Sequence, residues 1–383
     1  MAKPPMHSRL MHVESASGIP VITAKGTPRA IGRALGERLK PRLRVLIQDI
    51  SGILCQLSGD EQLIDEDGGF DQDAMLHYLD RLLGNSAREA LQELDPAQWM
   101  ELESLAESCK VNILFLLAIT AFNDLVKHFQ PELSFFASNT AVVPPNRNHD
   151  EASLIACDWS VPPYLLPHIM LIRRVPSHGP ASLTLSLGGL HSVAGINAAG
   201  LAVSSDDLYD SIGDGAGLPT PCMLLSALGA NNLPEARARC ESGRLFGGRA
   251  FHLTNADGER VSIERHAEQA TCLRDPSIAA PRIHTNHRLS GHAAPGNLER
   301  QVARSSQRLQ QLAALALKSN VTTTLQEIDN WFATGIDLDS NRSSRSSMRE
   351  RPVTGAVVIL DPMNACIHCR GSGAGRSLKN VAL

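Results

Sequence analysis

A change of pattern near Leu133 constrains the fold of this chain more than any other feature of its sequence. Before it, apolar residues recur every three or four positions, as in the series Ile31, Leu35 and Leu39, which is typical of helices that pack on one face. After it, short apolar runs alternate with clusters of glycine and proline, which is typical of strands joined by turns. The order predicts an α+β fold in which sheets and helices form layers.

The first helix has a clear start signal. Thr27 is suited to the N-cap, and Pro28 is suited to the first helical turn. Gly32 and Gly36 share a helix face of their own, so we expect another element to pack closely there. Further helices are predicted over Arg42–Leu57, Asp73–Leu83, Ala87–Leu94 and Trp99–Phe129.

The remaining two thirds carry strand signals with a few helices between them. Asp257-Gly258 lies between two apolar runs and predicts a hairpin of strands over Phe251–Asn255 and Arg260–Glu264. A last pair of strands is predicted over Val353–Leu360 and Ala365–His368, after a helix over Leu298–Leu317. Short helices are predicted over Pro221–Leu228 and Leu233–Cys240.

Charge and composition exclude several classes of partner. A formal net charge of −4 over 383 residues gives no basic surface for nucleic acid or an anionic membrane. The longest apolar run, Val111–Phe122, is interrupted by Asn112 and Thr120, and its length favours a buried helix over a membrane span. The first 15 residues lack the apolar stretch of a signal peptide, so we expect a cytoplasmic protein with eight reduced cysteines.

No common cofactor or metal motif stands out. The sequence contains no glycine-rich nucleotide loop, no HExxH and no GxSxG. Cys366 and Cys369 have CxxC spacing without a second pair, and His284 and His287 form an isolated pair. We therefore expect neither a cofactor nor a bound metal.

Six segments in the right order resemble the family of acyl-coenzyme A:6-aminopenicillanate acyltransferase, peptidase family C45. His284-Thr-Asn-His287 followed by Ser305-Ser-Gln-Arg308 resembles the family's "HTNH…SSxxR" stretch. Gly195–Val203 resembles its "GMNxxGLAV" segment. The other matching segments are Gly26–Gly36, Glu101–Ala106, Val111–Asp124 and the hairpin with Ala256-Asp-Gly258 and Ser262-Ile-Glu264.

The resemblance implies a four-layer αββα fold of N-terminal nucleophile (Ntn) hydrolases. In such enzymes the chain cuts itself before a Cys, Ser or Thr, and the freed α-amine is the general base for that side chain. Two regions follow from it: a helical, prosegment-like part over residues 1–137 and an Ntn-like core over residues 138–383.

The expected nucleophile position departs from the family pattern, which reads approximately "GCT". The corresponding stretch is 136–141, and it contains no cysteine. In one alignment Ser138 is the nucleophile and the bond between Ala137 and Ser138 is cut. In the other, Thr140 matches the family's threonine and Asn139, which has no nucleophilic hydroxyl or thiol, fills the position. Both alternatives stay open.

Other positions show both agreement and departure. Asp158-Trp159 matches the family's "RNxDW", in which the aspartate orients the nucleophile and its amine. The arginine of that motif is Ile155 here, and family asparagines are replaced by Asp206 and Ala250. The catalytic candidates are Ser138, Asn139 and Asp158, and the substrate-binding candidates are Asp206, Asp207, His252, Asn286 and Arg308.

The leading hypothesis is therefore an Ntn-type amidohydrolase or acyltransferase. It would act on a small acylated amine or amino-acid derivative, with Asp206 or Asp207 selecting the amine. The alternative is a non-hydrolytic protein of the same fold that binds a small metabolite or catalyses a cyclisation or condensation in a biosynthetic pathway. The sequence leaves homo-oligomer formation open.

Overall fold

The predicted α+β fold is confirmed in the computed structural model, in which two β-sheets lie face to face between two layers of helices. The structure describes residues 14–65, 67, 69–133, 136–147, 153–209, 216–274, 279–291, 296–318, 323–333, 352–373 and 377–383. Apolar side chains fill the space between sheets and the space under each helical layer.

The first third of the chain is helical, as predicted. Its helices are α1 (Pro28–Ser58), α2 (Gln72–Leu79), α3 (Asn85–Leu94), α4 (Pro96–Cys109), α5 (Ile113–Thr120) and α6 (Phe122–Phe129). Thr27 caps α1, since its hydroxyl accepts the N–H of Ala30 at 3.3 Å. The single helix predicted over Trp99–Phe129 is wrong: Lys110 adopts φ +57° and ends α4, and Asn112 caps α5 anew.

Close packing at the two glycines of α1 is confirmed. A Cβ added to Gly32 would lie 2.1 Å from the carbonyl oxygen of Glu101, and one added to Gly36 would lie 2.7 Å from Cβ of Ser108. Both contacts are with α4, so the absent side chains let the two helix backbones approach each other. This helix pair forms the outer layer on one side.

In the described residues, fifteen strands form the two sheets. They are β1 (Glu14–Ala16), β2 (Ile19–Gly26), β3 (Ala137–Val143), β4 (Leu154–Val161), β5 (Ile169–Pro176), β6 (Ser182–Leu187), β7 (His191–Asn197), β8 (Leu201–Asp207), β9 (Gly248–Asn255), β10 (Arg260–His266), β11 (Gln269–Cys272), β12 (Arg282–His284), β13 (Val353–Asp361), β14 (Cys366–Gly371) and β15 (Lys379–Ala382). The hairpin β9–β10 and the pair β13–β14 lie where the sequence predicts them.

The larger sheet has the order β1-β2-β5-β6-β7-β8-β9-β10-β11, and the smaller has the order β12-β3-β4-β13-β14-β15. All neighbours are antiparallel except β2 and β5. Strands β1 and β2 belong to residues 1–137, so that part of the chain contributes to the large sheet as well as to the helices. The division at residue 137 stays a prediction.

Four further helices of the described part of the chain complete the layers. Helices α7 (Thr220–Leu228) and α8 (Leu233–Glu241) pack on the large sheet, whereas α9 (Glu299–Lys318) and α10 (Leu325–Ala333) pack on the small one. The sequence predicted α7, α8 and α9 but not α10. Within the described residues, no helix combines the length and apolar character that crossing a membrane requires.

Candidate active site

Strand β3 presents the two nucleophile candidates to opposite faces of the small sheet. Ala141 and Val143 belong to the apolar cluster beneath α9, and Asn139 shares their face because side chains alternate along a strand. Thr140 donates a hydrogen bond of 3.1 Å to Asp206 of the large sheet, and Ser138 shares this inner face. Ser138 and Asn139 are therefore not interchangeable in their surroundings.

Asn139 pairs with Asp158 on the neighbouring strand β4. Its backbone N–H donates to Oδ1 of Asp158 at 2.8 Å, and its side-chain Nδ2 lies 2.9 and 3.0 Å from Oδ1 and Oδ2. The carboxylate predicted to orient the nucleophile thus contacts residue 139, and it binds both the backbone nitrogen and the side-chain nitrogen of that residue.

Arg308 on α9 closes this side of the network. Its Nε donates to Oδ1 of Asn139 at 3.1 Å, and its Nη2 donates to Oδ1 of Asn286 at 2.6 Å. The buried guanidinium spans the two asparagines because its donors lie in a fixed plane. Helix α9 therefore fixes both asparagine side chains from the outer layer.

Asn286 binds Ser138 at two points. The backbone N–H of Ser138 donates to Oδ1 of Asn286 at 3.1 Å, and Nδ2 of Asn286 donates to the Ser138 hydroxyl at 3.3 Å. The backbone of Asn286 is held in turn, since its N–H donates to Oγ of Ser305 and its carbonyl accepts from Tyr209, both at 2.8 Å. The amide that contacts the serine is thus fixed in position.

The pKa of Asp158 lies above its ordinary value. Burial raises its pKa to about 7, although the hydrogen bonds from Asn139 and the positive charge of Arg308 act in the opposite direction. A carboxyl group with this pKa exchanges its proton near neutral pH, which suits a general acid or base.

Asp206 is the centre of a second network between the sheets. Its Oδ2 lies 3.1 Å from Nε2 of His252 and 3.1 Å from Nδ1 of His284, and His284 also lies 3.1 Å from Glu264. Burial acts to raise the pKa of Asp206, but the hydrogen bonds from both histidines hold it well below its usual range. The same carboxylates raise the pKa of His284 to about 9 against the effect of its burial.

Asp207 points to the other face of β8, toward the helical layer. It forms ion pairs with Arg249 and with Lys127, whose Nζ lies 3.7 Å from Oδ1, and it accepts a hydrogen bond from Asn123. Both adjacent aspartates therefore already have cationic or hydrogen-bonding partners within the chain. Selection of a substrate amine by Asp206 or Asp207 stays a prediction.

The structure thus divides the eight candidate residues among three places. Ser138, Asn139, Asp158, Asn286 and Arg308 form one continuous hydrogen-bonded network, and Asp206 and His252 belong to the inner cluster. The side chain of Asp207 lies on the other face of β8, and its carbonyl oxygen accepts a hydrogen bond of 3.1 Å from Nδ2 of Asn286. The sequence did not single out Thr140, Glu264 or Arg249 as site residues, and it took His284 as structural. The alternation of polar residues along β3 is the signal that points to Thr140. For His284, the signal is its place two residues before Asn286.

Comparison with known proteins gives distant likenesses. No protein-family model and no curated protein matches the chain. A mutant of the conjugated bile acid hydrolase from Clostridium perfringens is 11% identical, with 64% of this chain and 92% of that chain covered and a TM-score of 0.42. A second variant of that hydrolase is 10% identical, with 66% of this chain and 86% of that chain covered and a TM-score of 0.37. Penicillin V acylase from Agrobacterium tumefaciens is 13% identical, with 61% of this chain and 83% of that chain covered and a TM-score of 0.34. The layered fold described above rests on the sheet order of this chain alone.

Proposed function

We propose that this chain is an Ntn-type amidohydrolase or acyltransferase for a small acylated amine, with Ser138 as its nucleophile. The observation that carries the proposal is the double contact between Asn286 and Ser138, which engages both the backbone nitrogen and the hydroxyl. These are the two groups that the Ntn reaction uses as base and nucleophile. Cleavage before Ser138 would convert the held nitrogen into an α-amine beside the held hydroxyl.

The reaction then follows from these two groups. The α-amine, with an ordinary pKa of about 7.7–8.0, takes the hydroxyl proton while Oγ of Ser138 attacks the amide carbon of the substrate. The tetrahedral intermediate expels the substrate amine, which leaves with that proton, and an acyl ester remains on Ser138. Water or a second amine then takes the acyl group and returns the proton to the hydroxyl.

The rest of the network supports Ser138 from the outer face. Asp158 holds Asn139, the next residue along β3, and Arg308 holds both Asn139 and Asn286. In this proposal Asn139, Asp158 and Arg308 position the nucleophile and do not themselves react. A cytoplasmic location and a small amino-acid derivative as the other possible substrate belong to the same proposal.

Intact-mass measurement of the purified chain under denaturing conditions tests the nucleophile. The expected result is a fragment that begins at Ser138, together with hydrolysis of chromogenic N-acyl anilides. Ser138→Ala should abolish both, whereas Ser226→Ala, which removes a buried hydroxyl in α7, should abolish neither. A single uncut chain with no amide hydrolysis contradicts the proposal.

A second candidate is favoured by the contact between Asp158 and the backbone nitrogen of Asn139. If residue 139 fills the nucleophile position, the chain stays uncut, and Asp158, with a pKa near 7, serves as a general acid or base without a covalent intermediate. A cyclisation or condensation of a small metabolite in a biosynthetic pathway fits this arrangement. Activity that survives Ser138→Ala and disappears in Asp158→Asn would favour this candidate over the first.

A further inference from the structure

Two strands of the large sheet and one of the small sheet bring three metal-binding side chains to a single point. Asp206 lies on β8, His252 on β9 and His284 on β12, and all three are fully buried. Their facing atoms, Oδ2 of Asp206, Nε2 of His252 and Nδ1 of His284, all lie within 4.8 Å of one another. The cluster therefore spans the interface between the two sheets.

The spacing of these atoms fits a small divalent ion. A tetrahedral Zn²⁺ at about 2.0–2.1 Å from each donor separates its ligand atoms by roughly 3.3 Å. Oδ2 of Asp206 lies 3.1 Å from each histidine nitrogen. Small outward shifts of the three side chains are enough to admit the ion, and a set of two histidines and one carboxylate leaves its fourth position open.

The outer contacts of the cluster are those of a metal site. The second ring nitrogen of His252 lies 2.9 Å from the hydroxyl of Ser262, and that of His284 lies 3.1 Å from Oε1 of Glu264. Oδ1 of Asp206 accepts from Thr140. Each ligand is thus oriented by a partner on its far side, as metal-binding histidines and carboxylates usually are.

The charges around the cluster point the same way. His284 lies between two buried carboxylates, 3.1 Å from Asp206 and 3.1 Å from Glu264. Two acidic side chains at one buried point favour a bound cation.

We propose that Asp206, His252 and His284 bind one divalent transition-metal ion, with Zn²⁺ the best match, which ties the two sheets together. The ion lies beside β3, because Thr140 contacts the same carboxylate, and it fixes the strand that leads to Asn286. This site was not expected from the sequence, and it goes beyond the proposed function. Since all three ligands are buried, the chain takes up the ion as it folds.

Among the described residues a second group of three donors exists, and it serves as a control. Asp361, Cys366 and His368 also place their ligand atoms within 4.8 Å of one another. There, however, Asp361 accepts from the backbone N–H of Asn364 at 3.0 Å and from its side-chain amide at 2.7 Å. The carboxylate is thus occupied in closing the β13–β14 turn.

The test is to unfold the full chain in denaturant with a chelator and to refold it with and without Zn²⁺, followed by metal analysis of the desalted protein. We expect one Zn²⁺ per chain and a higher unfolding temperature for the zinc-refolded protein. His252→Gln and His284→Gln should lose the ion, and His368→Gln should keep it. A wild-type chain that retains no Zn²⁺, or a loss confined to His368→Gln, overturns the proposal.

Refolding the wild-type chain with Co²⁺ keeps the test decisive if the histidine variants fail to fold. Nitrogen and oxygen ligands give visible d–d bands without the thiolate-to-cobalt band that Cys366 would add. Bands of the first kind support the site at Asp206, and a thiolate band or no bound cobalt contradicts it. Metal content is measured independently of amide hydrolysis, so failure of one proposal does not imply failure of the other.

Discussion

The backbone N–H and the side-chain amide of Asn139 both donate to the carboxylate of Asp158 across neighbouring strands. These donors are neutral, so they replace only part of the solvation that burial removes. The carboxyl group therefore holds its proton up to about pH 7.

Asp158→Asn should flatten the pH dependence of stability. An unfolded aspartate ionises near pH 4, and Asp158 in the folded chain ionises near pH 7, so the folded state binds more protons between these values. The free energy of unfolding should then fall as pH rises from about 4 to about 7, by on the order of a few kcal/mol. Urea titrations at pH 5 and pH 8 measure the difference, and parallel behaviour of wild type and variant would contradict the assignment.

Gly32→Ala should destabilise the pair formed by α1 and α4. The new Cβ meets the carbonyl oxygen of Glu101 at 2.1 Å, so the helices must separate, at about 1–3 kcal/mol. Gly52→Ala is the matched control in the same helix, because a Cβ there has nothing within 4 Å. It should stabilise by about 0.5–1 kcal/mol. Thermal or urea unfolding of both variants checks the opposite signs, and equal effects would count against the close approach.

Arg308→Lys should weaken the site although the charge is kept. A single ammonium cannot copy the planar donors that reach Asn139 and Asn286 together. Loss of one charged hydrogen bond in a buried place is expected to lower stability by about 1.5–3 kcal/mol. Arg300→Lys, on an exposed position of the same helix, should change it by less than about 0.5 kcal/mol. Equal unfolding midpoints for the two variants would argue that the bridge is dispensable.

Arg249→Met should be among the most damaging single changes in the large sheet. It removes the closer of the two cations that pair with buried Asp207 and leaves only the longer pair with Lys127, at about 3–5 kcal/mol. Arg237→Met, which breaks an exposed ion pair with Glu241, should have an effect below about 1 kcal/mol. Equal unfolding midpoints for Arg249→Met and Arg237→Met would refute this explanation.

Local chemistry explains why much of the fold could be predicted. Thr27 and Pro28 identify the start of α1, and Asp257-Gly258 identifies the β9–β10 turn, because these residue types satisfy backbone geometry on their own. The three-residue strand β12 shows no periodicity that a sequence reading can detect. The apolar pattern over α4 to α6 hid the break between α4 and α5, since Lys110 in the left-handed region carries no sequence signal.

The site was harder to predict because it depends on contacts between distant segments. A shift of one residue along β3 exchanges the inner and outer faces, so motif matching alone could not separate Ser138 from Asn139. The strand alternation now gives each residue its surroundings, and which of them reacts stays a proposal. His252 and His284 meet at Asp206 only when the two sheets stack.

The parallel pairing of β2 with β5 has a consequence for any cut before Ser138. Val21–Gly26 pairs with Leu171–Pro176, and α1 packs its leucines on the same sheet. The two pieces of a nicked chain would thus share one sheet and one core, and would co-elute in native sizing while separating in denaturant. Residues before the cut would be a retained subunit of the mature particle.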